Sequence, residues 1–369
     1  MKHLFTPTVL FTAGCLLLCS CKDTGDLDTV TAIMDTYELS ELSELGIDSS
    51  DNIALDVLTV PSVPVDEEYA RNNVGNLMDF SDVKADMMYF APFGDSIYYL
   101  YHHDVWTNMS KRWDIYRQDT ATGEVSRSAV LENDFAMLVF SVTVSDKAIY
   151  FSASTSENEW RIMRFSPSDN SVDVLFSGEL SNNDRVPVLT CRESRLTWYN
   201  VNDLGKIELK CYDTETGELT TAAEDVISSN PYERTVGDAY AKDENGLAVV
   251  HYPGGEITTN CASENFALMA ADNSGVIWSE TLDSGISRLY LYDCNSGNTY
   301  ITPAGNHMGT GIINDCFFIN RIDGLMFAYI GSETVYRDTQ SGFAWAYCFP
   351  ESGIVGLCSD NKVFLYHIS

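Results

Sequence analysis

From about residue 84 to the last residue, apolar and polar positions alternate in short runs, each bounded by Gly, Asn or Asp. Alternation with a period of two is the pattern of strands with one buried face. One unit reads as strands over 84–92, 96–101, 113–118 and 125–131, with a turn at 119–124. The third strand and its turn recur. Residues 115–124 read Ile-Tyr-Arg-Gln-Asp-Thr-Ala-Thr-Gly-Glu, and 209–218 read Leu-Lys-Cys-Tyr-Asp-Thr-Glu-Thr-Gly-Glu. Further copies are Leu-Tyr-Leu-Tyr-Asp-Cys-Asn-Ser-Gly-Asn at 289–298, Val-Tyr-Arg-Asp-Thr-Gln-Ser-Gly at 335–342, and a degenerate one at 161–170. The chemistry is that of a hairpin. Asp caps its own turn, and Gly or Asn takes the position with positive φ.

The second strand recurs as an apolar-aromatic run beginning near Ile97, Ile149, Leu196, Leu247, Val276, Leu325 and Val363. Most of these starts are 47–52 residues apart, with short steps of 29 and 38. Four-stranded units at such a period predict an all-β fold, a β-propeller of four-stranded blades. Residues 53–369 hold seven blades at roughly 45 residues each; six or eight would stretch or squeeze the period. Residues 247–275 read as an abridged blade. The chain stops after two predicted strands of its last unit, 354–358 and 362–368. The orphan strand at 53–60 can complete that sheet and close the ring, which hides an edge that proteins avoid exposing.

The hairpin Tyr-Arg-x-Asp-x-x-x-Gly and the strands around it resemble the TolB, tricorn and dipeptidyl-peptidase type of propeller, a WD40-like family. The resemblance covers about 85 % of the chain and consists of strand order and turn residues. True WD40 repeats end in Trp-Asp, whereas Trp113-Asp114 stands alone at the wrong end of a strand. In the related peptidases a hydrolase domain follows the propeller. This chain ends inside the predicted ring, so no such domain is expected.

The first residues break the strand pattern. Met1-Lys2-His3 is a short basic start, and 4–18 is an apolar run too short for the roughly 20 residues of a membrane span. Leu18-Cys19-Ser20-Cys21 then resembles a bacterial lipobox, departing from it at Cys19. The resemblance implies a signal peptide over 1–20 and acylation of Cys21, which would anchor the mature chain in the lipid bilayer. Two or more acyl chains give stable anchoring where one is marginal. Residues 21–52 read as an acidic tether, the alternative being an amphipathic helix over 29–45 that docks on the domain. The propeller follows over 53–369.

With 22 Lys+Arg against 54 Asp+Glu, the formal charge is −32. Such a chain repels phosphate backbones, so nucleic acid is not an expected partner. Hydrophobic residues at 45 % exclude disorder as the reason for the acidity. No metal-ligand spacing, Gly-x-Ser-x-Gly elbow or P-loop is present, and no cofactor is expected. The segment 270–278 comes near an Asp box of the sialidase type but lacks its Ser. Seven cysteines remain beyond Cys21, mostly in predicted strands. They read as small buried hydrophobes, and suggest a reducing or anaerobic host.

Candidate ligand-binding residues sit where second and third strands join. The long connection 102–112 carries His102, Trp106, Lys111 and Arg112, and Trp160 lies in the neighbouring unit. Aromatic residues on scaffold loops are common recognition elements. The expectation is a lipid-anchored bacterial protein facing outside the cytoplasm, at the cell surface or in the periplasm. Its propeller would be a non-catalytic binding or scaffold module for protein partners or extracellular polysaccharide. The alternative is a glycan hydrolase or lyase with channel-mouth carboxylates about 5–10 Å apart.

Overall fold

Asp119, Asp213 and Asp293 set the hairpins. Asp119 Oδ1 accepts from the N–H groups of Ala121 and Thr122 at 3.0 and 2.8 Å. Asp213 Oδ1 holds Glu215 and Thr216 at 2.9 and 2.8 Å. Asp293 Oδ1 holds Asn295 at 2.8 Å. Gly123, Gly217 and Gly297 follow with φ of 71°, 76° and 74°, a conformation that a side chain strains. The repeated Asp-x-x-x-Gly thus folds three times into one turn.

The computed structural model describes residues 36–39, 42–66, 84–103, 112–131, 138–155, 158–180, 186–227, 235–302, 305, 307–321, 324–339, 346–359 and 361–369. Their strands form seven sheets, the blades of a propeller. Blade 1 comprises Asp86–Phe93, Ser96–His103, Arg112–Asp119 and Val125–Leu131. Blade 2 comprises Leu138–Val144, Ile149–Ser154, Glu159–Ser166 and Ser171–Glu179. Blade 3 comprises Thr190–Arg192, Arg195–Val201, Ile207–Asp213 and Leu219–Glu224. Blade 4 has three described strands, Tyr240–Glu244, Leu247–Tyr252 and Gly255–Ala262, in the stretch that reads as abridged. Blade 5 begins with Phe266–Ala271 and Gly275–Thr281, and blade 6 with His307–Ile313 and Cys316–Arg321.

Blade 7 takes Ala346–Phe349, Ile354–Ser359 and Lys362–Ile368 from the C-terminal end. Its outer strand is β3 (Ile53–Thr59), which pairs antiparallel with Lys362–Ile368. The N-terminal strand therefore closes the ring, but the last unit supplies three strands where two were expected. The runs at Leu325 and Val363 are third strands, not second. In blade 6 two apolar runs follow one another, and alternation alone does not say which lies nearer the axis.

The segment 36–52 differs more from expectation. Its described residues contain no α-helix, only two short strands and a 3-10 turn at Ile47–Ser49. β1 (Thr36–Glu38) adds a parallel strand outside Thr299–Ile301 of blade 5. β2 (Ser43–Gly46) does the same outside Thr334–Asp338 of blade 6. With β3 these strands form a belt over blades 5, 6 and 7. Leu39, 4 % exposed, packs among residues of blades 5 and 6, and Ile47 among those of blades 6 and 7. Burial of each such side chain stabilises by about 1.5–3 kcal/mol, so the belt is held by its apolar plugs as well as by backbone pairing.

The remaining core lies between sheets. Phe90, Ile97, Leu100 and Phe151 pack where blade 1 meets its neighbours, and Val250, Phe266 and Trp278 pack between blades 4 and 5. The first strand of each blade is innermost, and those of blades 1 and 2, 2 and 3, 5 and 6, and 6 and 7 touch around the axis. Chain direction puts the second-to-third and blade-to-blade connections on one face, here the loop face. The short first-to-second and third-to-fourth turns lie on the opposite, turn face.

Candidate functional site

Arg112 and His103 face each other across the hairpin of blade 1, at its loop-face end. Asp114, 1 % exposed, is the centre of their contacts. Arg112 Nε donates to Asp114 Oδ1 at 2.9 Å and its Nη1 to Asp66 Oδ2 at 2.8 Å. His103 Nε2 lies 3.3 Å from Asp114 Oδ2, at ion-pair distance, without an aligned hydrogen bond at either ring nitrogen. Arg127 approaches from the outer strand at 3.4 Å. Burial pushes the Asp114 carboxyl up, but His103 and Arg112 outweigh it and hold the group below its ordinary range. His102 lies against Trp113, ring centroids 4.8 Å apart and planes tilted by 35°.

Of the residues singled out in the sequence, Arg112 and His102 are buried in these contacts. Trp160 is half-buried against the core of blades 2 and 3. Its indole covers Gly178, where an added Cβ would meet the ring at 2.6 Å. Trp106 and Lys111 lie outside the described residues. The structure brings His102 and Arg112 to one end of blade 1 and places Trp160 on the next blade.

The central channel holds what the sequence reading missed. At the turn face, polar bridges join blades that are not neighbours. Arg192 of blade 3 donates to the Ala271 carbonyl at 2.8 Å and to Asp272 Oδ2 at 3.0 Å in blade 5. The Ser194 N–H of blade 3 donates to Glu351 Oε1 of blade 7 at 3.1 Å. Glu193 and Ser194 carry left-handed φ of 50° and 59°, a strained pair for residues with side chains. Thr214 steadies the turn by donating its N–H and hydroxyl to the Ser194 carbonyl, both at 2.8 Å. Above this latch is a cavity of about 70 Å³, bordered by Thr190, Thr235, Thr310, Met269 and Cys348. Both latch carboxylates, Asp272 and Glu351, are engaged within it.

Towards the loop face, the inner strands of blades 1 and 2 expose apolar side chains. The innermost strands of blades 1, 2, 5 and 6 each carry a bulge near their start. The extra residues are Met88, Phe140, Met269 and Met308. A bulge turns one side chain out of the sheet's alternation. Met88 is 50 % exposed and Phe140 44 %, and Leu138 beside them is 36 % exposed. Their neighbours Tyr89 and Val139 turn inward, and the Tyr89 hydroxyl donates to the Val139 carbonyl at 3.0 Å, tying the two strands together. The result is an apolar collar on blades 1 and 2, made by Met88, Leu138 and Phe140, whereas Met269 packs partly buried against the core of blades 5 and 6. Among the described residues no cluster of His, Cys, Asp and Glu could hold a metal ion.

No protein-family model matches the chain, and no curated protein matches its sequence. In fold it is similar to the β-propeller domain of the Trilobed protease from Pyrococcus furiosus, at 13 % identity and a TM-score of 0.52 over 76 % of this chain and 93 % of that one. That propeller is described as having an open velcro topology. The chain is also similar to Pyrococcus horikoshii acylaminoacyl peptidase, at 12 % identity and a TM-score of 0.50 over 74 % of this chain and 48 % of the peptidase. It thus spans about half the length of that peptidase. An extracellular domain from B. thetaiotaomicron matches at 10 % identity and a TM-score of 0.45, over 83 % of this chain and 39 % of that one. At such identities the likeness shows the fold, a seven-bladed propeller.

Proposed function

We propose that this propeller is a lipid-anchored, extracytoplasmic binding module, whose loop face takes a protein partner or an envelope polymer. The observation that carries the reading is the contrast between the turn face, where Arg192 and Glu351 take part in bridges between distant blades, and the loop-face ends of the inner strands, where Met88, Leu138 and Phe140 are exposed. Exposed apolar groups around a concave opening are the usual mark of a binding surface. A glycan hydrolase would need two facing carboxylates at the open mouth; the carboxylates of the latch are already engaged. The anchor rests on Leu18-Cys19-Ser20-Cys21. Because β1 begins at Thr36, residues 22–35 are all that joins Cys21 to the belt, a reach of about 50 Å when fully extended. That is less than half the span of a tether running to residue 52.

Expression of the full chain with a clickable palmitate analogue tests the anchor. Label on the wild type, and its loss together with membrane association in Cys21→Ala, supports it; equal label on both overturns it. Sedimentation of the full chain with purified envelope polysaccharide, and photo-crosslinking from the loop face in cells, test the module. Absence of both a polymer-bound fraction and a discrete crosslinked partner overturns it.

A further inference from the structure

We propose that the bulge collar is a docking site for the apolar anchor of a basic peptide segment in a partner protein; this rests on the binding-module reading. Four inner strands break register near the loop face, and the extra residue is each time Met or Phe: Met88, Phe140, Met269 and Met308. Here the bulges leave Met88 and Phe140 half in water. Methionine is unbranched and polarisable and adapts to different apolar partners.

Charge selects the rest of the partner. The chain carries −32, and Asp86, exposed at the start of the same inner strand as Met88, adds to that field at the loop face. A field of this sign repels acidic polymers and speeds the approach of basic segments. A single apolar residue flanked by Lys or Arg fits both the collar and its surroundings.

The probe is a fluorescein-labelled heptapeptide with a central Phe and three Lys on each side, added to the full chain at low salt. Two control peptides carry central Gly, or Glu in place of Lys. The expected result is binding of the Phe–Lys peptide, with each control at least tenfold weaker. Phe140→Ser and Met88→Ser weaken binding at least tenfold, while Leu204→Ser, on a loop-face turn of blade 3, leaves it unchanged. Bound peptide also slows peroxide oxidation of Met88 at least threefold, read by mass spectrometry. Melting curves of the variants check that each is folded. No binding of the Phe–Lys peptide, equal binding of the Glu peptide, or unchanged binding by folded Phe140→Ser overturns the proposal. Polymer or partner capture that survives Phe140→Ser overturns the collar and leaves the binding-module reading standing.

Discussion

At Asp114, burial and pairing oppose each other, and pairing wins. The carboxylate is closed in by Arg112, His103 and Arg127. Removing one partner of a buried ion pair strands the others, so Asp114→Ala should cost about 3–5 kcal/mol, measured as the shift of the urea midpoint at pH 7. The pH dependence follows from the lowered carboxyl. Its stabilisation is complete above the ordinary unfolded value near 4 and is lost as pH falls through the lower folded value. Asp119 and Asp213, held down by the N–H groups of Thr122 and Thr216, act in the same direction. Stability should therefore fall below about pH 4, with a shallower slope in Asp114→Asn, which no longer titrates. Trp160 tests packing against display. With its ring over Gly178, Trp160→Ala should lower stability by roughly 2 kcal/mol or more, as expected of a packed aromatic; an unchanged melting temperature would mean that the ring is dispensable to the fold. The sequence marked Trp160 and Arg112 as chemically notable, but residue type does not tell whether a side chain faces a ligand or a neighbouring strand.

Among elements, the belt carries the clearest consequence. β1 and β2 cover the outer edges of blades 5 and 6, and Leu39 anchors the crossing between them. Leu39→Ala should destabilise by about 2–4 kcal/mol. Deleting residues 34–46 should leave the ring folded but strip hydrogen-exchange protection from Thr299–Ile301 and Thr334–Asp338, whereas deletion through Thr59 should abolish cooperative unfolding, because β3 is a strand of blade 7. β3 was legible in the sequence, since a sheet missing a strand demands one. β1 and β2 were not. Three or four residues are too few to show a period, and their partners lie more than 250 residues away.

For the whole molecule, seven cysteines are free among the described residues. Burial pushes the thiols of Cys261 and Cys316 up to about 12. The thiolate is the reactive form, so the native chain should react slowly with a disulfide reagent at pH 8. Unfolded without reductant, a chain from residue 22 should titrate all seven; a titre well short of that means that disulfides form. Reading strands from alternation and turns from Asp-x-x-x-Gly worked because both are short-range properties. Pleat and turn chemistry are written within ten residues, and their repetition implies a ring. The ring's need for closure then assigned 53–60 its place. The sequence by itself determined the all-β blades, their turns and the velcro strand. Only the tertiary structure decided the belt, the latch between Arg192 and Asp272, and the bulges that leave Met88 and Phe140 exposed on adjacent inner strands. Those features depend on which strands lie side by side around the axis, and that proximity is set by packing of blade on blade rather than by neighbours along the chain.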